Sequence, residues 1–279
     1  MLWENLREEE FKEAIEKSNG VCILPIGCLE KHGQHMPVGT DAIQAGEYAR
    51  IAADKEYAVV FPTMYFGEKT GSGEYDGTIM FSAKLRFDIL TETCREIARN
   101  GFKKILIYNC HGGNGAMIGN FTRSVLFEKN DYMVYSANLT TNCIPEILEI
   151  GYDFLTEEDI KILREFVDNN TLHGHACFVE TGFIYSVRPE TIRLDKMDQE
   201  SGLSTHRFDE FNKKGIGTPF GWMANYPNSY AGAYHPGMND RIAKAILEYS
   251  TDVLADQIKF LKEETISDKY LEEWLAKQA

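Results

Sequence analysis

Glu30, His32, His35 and Asp41 fall within twelve residues of one another, in the run Cys28-Leu29-Glu30-Lys31-His32-Gly33-Gln34-His35-Met36-Pro37-Val38-Gly39-Thr40-Asp41. Carboxylates and imidazoles at this density form a mixed oxygen and nitrogen set that suits zinc, manganese or iron. A carboxylate can also bridge two ions, as two-metal hydrolases require. Taken alone, the run fits a metal site and a solvated polar loop equally well.

A second cluster reads Asn109-Cys110-His111-Gly112-Gly113-Asn114-Gly115. Its glycines permit tight turns and close backbone approach to a ligand. His111 makes it a candidate metal turn. The rival reading is a phosphate cradle at a helix N-terminus, although the G-x-G-x-x-G order and the Walker lysine are missing. A third cluster reads His173-Gly174-His175-Ala176-Cys177-Phe178-Val179-Glu180-Thr181. His175 and Glu180 lie five positions apart, so they converge only if His175 precedes a helix and Glu180 sits in its first turn. Ser72, Ser82 and Ser204 lack a G-x-S-x-G setting, which argues against a serine hydrolase.

The elements that must position these clusters alternate along the chain. Amphipathic patterns predict helices over 7–18, from Asp41 to Glu56, over 87–100 and over 115–129. Apolar runs predict strands over 21–27, 58–67, 103–110 and 132–139. Further helices are expected over 143–150, 156–169, 176–187, 239–264 and 266–277. The β-α-β-α-β-α-β order predicts a layered α/β/α fold with a mainly parallel central sheet. Sheets of this kind carry their sites beyond the carboxyl ends of the strands, where the first two clusters fall. No linker or repeat divides the chain, so residues 1–279 are expected to form one domain. The stretch 201–235 is rich in Gly, Pro, Asn and aromatics and is expected to be a loop-rich lid or an oligomer contact.

Composition narrows the function classes. The 279 residues carry 29 basic and 43 acidic side chains, a net charge of −14. That field repels phosphate backbones, so no nucleic-acid partner is expected. No apolar run reaches the roughly 18 residues of a membrane span. The acidic start, MLWENLREEEFKEA, lacks the basic and apolar regions of a secretion signal, so a cytoplasmic location is expected. The six cysteines, Cys22, Cys28, Cys94, Cys110, Cys143 and Cys177, form no C-x-x-C pair and read as reduced, buried thiols.

Together the three clusters resemble the signatures of the creatininase family. The first, E-x-H-G-x-H-L-P-x-x-T-D, stands here as Glu30 to Asp41 with Met36 for the usual Leu. The second, N-x-H-G-G-N, is Asn109 to Asn114. The third, H-A-G-E-x-E-T, is His175 to Thr181, with Cys177 for Gly and Phe178 for the first Glu. Gly77-Thr78-Ile79 is similar to the family's G-T-I segment, with Asp76 where Pro usually stands.

The resemblance implies a creatininase-like α/β domain, a small-molecule amide substrate and homo-oligomers, typically hexamers. It also implies two divalent ions per chain, zinc first, with manganese and iron as alternatives. By this likeness Glu30, Asp41 and His111 hold one ion, and His32, Asp41 and Glu180 hold the other, with Asp41 as the bridge. His175 matches the proton shuttle. A metal-bridging hydroxide is then expected to attack an amide, cyclic amide or formamide carbonyl. The family spans creatininases, deformylases and a peptidase, so the substrate stays open. Creatininase shelters its substrate with tryptophans near the third motif. This chain has Trp3, Trp222 and Trp274, of which Trp222 is a candidate for a stacking role. Two other readings remain: a non-catalytic metal-stabilised oligomeric binding protein, and a nucleotide- or sugar-phosphate-dependent enzyme using the His111–Gly115 turn.

Overall fold

The computed structural model describes residues 1–69, 71–168, 174–232 and 236–277. Two strands form its centre, β1 (Val21–Ile26) and, later in the chain, β3 (Lys104–Asn109), and every residue of both is buried. A strand covered on both faces needs apolar side chains at nearly every position rather than alternation, which the runs VCILPI and KILIYN supply. β2 (Val59–Val60) lies beside β1, and β4 (Met133–Asn138) lies beside β3. The sheet order is β2-β1-β3-β4, and all pairs are parallel. Ile26 pairs with Asn109, and Asn109 with Asn138. The carboxyl ends of three strands are therefore level, which brings the segments that follow them to one edge.

Successive side chains along a strand point to opposite faces, and the two cores divide accordingly. Val21 and Ile23 of β1 and Leu106 of β3 pack on one face. That core is shared by α2 (Thr40–Lys55), α5 (Ile144–Ile150), α6 (Glu157–Asp168), α7 (Phe178–Tyr185) and α10 (Asp240–Glu263). Cys22, Leu24, Ile105 and Ile107 face the other way, toward α1 (Phe11–Lys17), α3 (Ala83–Arg99) and α4 (Asn114–Ser124). Each fully buried Leu or Ile stabilises the fold by about 1.5–3 kcal/mol relative to exposure. The observed architecture is the expected layered α/β fold with a parallel sheet.

Several boundaries differ from expectation. The strand expected over 58–67 is reduced to Val59–Val60. Pro62 has no N–H for a ladder. Past Val60 the chain meets β1 at single bonds, from Phe61 N–H to Ile23 O at 2.8 Å and from Met64 N–H to Pro25 O at 2.9 Å. The third helix begins at Ala83 rather than 87, because the Ser82 hydroxyl accepts from Leu85 N–H at 3.3 Å and caps it. The helix expected over 115–129 ends at Ser124 and continues as one 3-10 turn. The stretch 201–235 is not all loop: it contains α8 (Asp209–Lys213) and α9 (Gly221–Asn225). α11 (Ile266–Lys277) closes the described chain. Among the described residues, no helix is long and apolar enough to cross a membrane.

One glycine sets the geometry of the site edge. A Cβ on Gly27 would lie 2.3 Å from Ala42 N, far inside contact distance. The absence of a side chain lets the end of β1 touch the first turn of α2, which carries Asp41.

Candidate metal centre

The three clusters converge beyond the carboxyl ends of β1 and β3. Glu30 and His32 leave β1, Asp41 sits in the first turn of α2, and His111 leaves β3. Glu180 lies in the first turn of α7, and His175 precedes that helix, the placement that convergence required. His173 lies outside the described residues. Glu30, His32 and Asp41 are almost fully buried, with exposures of 0%, 0% and 1%.

Asp41 lies between the two halves of the site. Its Oδ1 is 3.1 Å from His32 Nε2, and its Oδ2 is 2.8 Å from His111 Nδ1. Glu30 Oε1 is 3.1 Å from His111 Nδ1, and Glu180 Oε2 is 3.8 Å from His32 Nε2. His175 Nδ1 faces Glu30 Oε1 at 3.7 Å and Glu180 Oε2 at 4.0 Å. Three groups of donor atoms result, each within 4.8 Å: Cys28, Glu30, Asp41 and His111; His32, Asp41 and Glu180; and Glu30, His32 and His175. Glu30, His32, Asp41, His111, His175 and Glu180 are thus brought together.

The imidazoles are oriented in one common way. His32 Nδ1–H donates to Glu30 O at 3.0 Å, His111 Nε2–H to Glu68 O at 2.8 Å, and His175 Nε2–H to Lys31 O at 2.8 Å. A carbonyl can only accept, so each bond fixes a proton on that nitrogen and turns the other ring nitrogen toward the carboxylates. This is the arrangement that metal-ligating histidines adopt.

Electrostatics follow from packing three carboxylates among these rings. Burial disfavours ionised Glu30 and Asp41, yet the surrounding imidazoles outweigh it and hold both well below the usual carboxylate range. Burial likewise opposes charge on His32 and His111. Asp41 and the neighbouring carboxylates win, raising His32 to about 9 and His111 to about 10. Glu180 is raised to about 7, first by burial and then by Asp41 and Glu30, against the pull of His32. His175 is lowered to about 4, by burial and then by the charge of His32. The carboxylates therefore call for positive charge, which protonated rings supply here and a divalent cation would supply in their place.

The residues fit a metal. Neither buried oxygen of Glu30 receives a hydrogen bond; the two carry ion-pair contacts to His111 and Lys69 instead. Anionic oxygens without hydrogen bonds, beside fixed imidazole nitrogens, form a donor set for zinc or its neighbours. The same acidity counts against the His111–Gly115 turn as a phosphate cradle, since the ring nitrogen there faces two carboxylates.

Sequence reasoning missed the parts that hold this set in place. Glu68 is anchored on three sides: its N–H donates to Asn114 Oδ1 at 2.5 Å, its carbonyl accepts from His111, and its carboxylate pairs with Arg86. Asn109 Oδ1 accepts from His111 N–H at 3.1 Å and from Asn114 Nδ2–H at 3.0 Å. The two asparagines of N-x-H-G-G-N therefore serve the histidine between them. Cys28 donates its thiol to Asp41 Oδ2 at 3.1 Å, and burial with the adjacent carboxylates pushes that thiol far up in pKa. His35 stands apart from the ligand groups. Its Nε2–H donates to Thr181 Oγ1 at 3.2 Å, and burial with the charge of His32 lowers its pKa to about 4.

The late stretch reaches the same place. Ala231 and His175 exchange two main-chain bonds of 2.8 Å, and Ser229 Oγ donates to Lys31 O at 3.3 Å. Trp222 of α9 lies edge-on to the His175 ring, with centroids 5.4 Å apart. A cavity of about 430 Å³ adjoins the site, lined in part by Gln44, Asn109, His111, Asn138, Thr141 and Glu180.

The family model described as creatinine amidohydrolase (creatininase) matches residues 4–258. Creatinine amidohydrolase of Pseudomonas putida is 26% identical over 220 residues, covering 76% of this chain and 81% of that one. The 2-amino-5-formylamino-6-ribosylaminopyrimidin-4(3H)-one 5'-monophosphate deformylase of Methanococcus maripaludis strain C5 is 29% identical over 175 residues, covering 61% of this chain and 72% of its own. Among solved structures, a mutant creatininase in a Zn-Zn form superposes with a TM-score of 0.71 at 20% identity, covering 94% of this chain and 98% of that one. That last likeness establishes the shared fold.

Proposed function

The chain belongs to the creatininase family, and from that premise we propose that it hydrolyses a C–N bond of a small amide, cyclic amide or formamide with two divalent ions. The observation that carries this reading is Asp41, whose two oxygens serve different imidazoles, His32 at 3.1 Å and His111 at 2.8 Å. A buried carboxylate shared in this way is what a bridging ligand requires. Glu30, Asp41 and His111 would hold one ion, and His32, Asp41 and Glu180 the other. Zinc suits this donor set best, with manganese and iron as alternatives, and a Zn-Zn form is known for the structural relative. Ions bound there polarise a carbonyl and make water nucleophilic near neutral pH.

The chain's own residues do the rest. His175 has committed Nε2–H to Lys31 O, so Nδ1 is its free base, directed at Glu30 and Glu180. The lowered pKa of about 4 keeps that nitrogen unprotonated at neutral pH. It accepts the proton released as water adds to the carbonyl and returns it to the leaving nitrogen. Gln44 Nε2–H donates to Cys110 O at 3.0 Å, which tethers α2 to the segment leading into His111. The side chains lining the cavity suit an uncharged, hydrogen-bonding portion of a substrate. Residues 1–279 are read as a single creatininase-like domain, supported by one sheet and by the family match over 4–258.

The test is hydrolysis across amide, lactam and formamide compounds by the zinc-loaded protein. The reading expects turnover of at least one class and its loss in Asp41→Ala together with bound metal. Metal retained without hydrolysis of any class would point to a binding protein instead.

A further inference from the structure

Lys69 is a buried lysine, 8% exposed, whose ammonium forms an ion pair with Glu30 Oε2. Its place is not incidental. It follows Glu68, which is fixed by Asn114, His111 and Arg86, so the main chain beneath Lys69 is held by the site itself. The ammonium also lies 5.4 Å from the centre of the Trp222 ring, and that ring is in turn 5.4 Å from His175. Lys69 therefore stands between the carboxylates and the aromatic ring of the late stretch.

Glu30 turns Oε1 to His111 and Oε2 to Lys69, so a divalent ion on Oε1 draws off negative charge that the ammonium shares. Once an ion takes that oxygen, Lys69 keeps only part of its counter-charge while the surrounding protein still shields it from water. A buried charge that is only partly compensated is destabilising, and the ring of Trp222 offsets only part of that. The ammonium then needs another anion. It balances one negative charge in Glu30, so a single carboxylate is the matching replacement; dianionic phosphate is more often gripped by Arg forks or several donors. Among the described residues, no other Lys or Arg forms an ion pair with Glu30, Asp41 or Glu180.

We infer that Lys69 is a specificity-determining residue that hands Glu30 to the metal and pairs with a carboxylate carried by the amide substrate. This rests on the two-ion reading above and narrows it: the substrate is an acidic amide, bound with its anionic group toward Lys69 and Trp222.

Calorimetric titration of the zinc-loaded protein tests this with two probes, N-acetylglycine and its uncharged counterpart N-acetylglycinamide. A charge-assisted contact predicts that wild type binds the carboxylate roughly tenfold to a hundredfold more tightly than the amide. Lys69→Met removes the difference, and Lys69→Arg, which keeps the charge, retains part of it. Equal affinities in wild type, no binding of either probe, or a preference unchanged in Lys69→Met would each overturn the inference.

Zinc titration of the metal-free proteins supplies the second readout and stays informative about each idea separately. Removing the competing ammonium should raise zinc affinity at the Glu30 half of the site by about tenfold. One ion in wild type against two in Lys69→Met would show that Lys69 keeps Glu30 permanently, and would overturn the inference. No zinc in either protein would defeat the two-ion reading itself. Two ions in both, without a carboxylate preference, would defeat only the role of Lys69.

Discussion

His111 donates Nε2–H to the main-chain carbonyl of Glu68 at 2.8 Å, and that bond decides which of its nitrogens faces Asp41. The carbonyl is itself held, because Glu68 N–H donates to Asn114 Oδ1 at 2.5 Å. The orientation of this proposed ligand thus depends on a residue with no ligand atom in the set. Asn114→Ala removes this support and also the bond to Asn109. Disturbing such partners typically costs about 10–100-fold in metal affinity. Competition with a chelator, comparing Asn114→Ala with wild type, measures it. An unchanged affinity would show that Glu68 is held well enough without the asparagine.

His175 is proposed to transfer protons rather than to act as a metal ligand. His175→Ala should therefore keep both ions and lose about 10²–10⁴-fold in turnover. The losses should fall mainly on kcat. Elemental analysis and steady-state kinetics on the same preparation check this. A loss of one ion would make His175 a ligand, which its place beside Glu30 and His32 makes a real alternative.

Away from the site, Lys104 opens β3 with its ammonium buried against the end of α10. It donates to Leu261 O at 2.9 Å and to Glu264 O at 2.7 Å, and it pairs with Glu264 Oε1 at 3.1 Å. Burial alone would raise the Glu264 carboxyl, but the Ser267 hydroxyl, the Ser267 N–H and Lys104 outweigh it and lower the pKa to about 2. A carboxyl depressed in the folded state stabilises it fully above the unfolded pKa and loses that contribution as pH falls toward the folded value. Glu264→Gln should therefore cost about 1–2 kcal/mol at neutral pH. The gap to wild type should close between about pH 4.5 and pH 2. Denaturant midpoints at pH 7 and pH 3 test this; an equal gap at both would remove the ionic contribution.

Much of this arrangement is legible in the chain itself. β1 and β3 show as apolar runs because both faces are covered, and α10 shows through its long amphipathic period. The three clusters announce themselves because imidazoles and carboxylates are rare at such density. What lies beyond sequence reading has a common cause. The anchor on His111 is a main-chain carbonyl, which no residue type signals. Lys69 meets Glu30 across a distance of 39 positions, too far for any local pattern to pair them. α8 and α9 are five residues each, too short to establish a period. β2 is short because Pro62 ends the ladder, an effect that the apolar run AVVFPTMYFG conceals.

The proposed site shares Asp41 between two ions. Counting metals per chain by elemental mass spectrometry, on protein purified without chelator, tests it most directly beside a Glu30→Ala/His32→Ala double variant. About two divalent ions per wild-type chain are expected, with a clear loss in the variant. A wild type that carries none, and takes up none after incubation with zinc, manganese or iron, would contradict it.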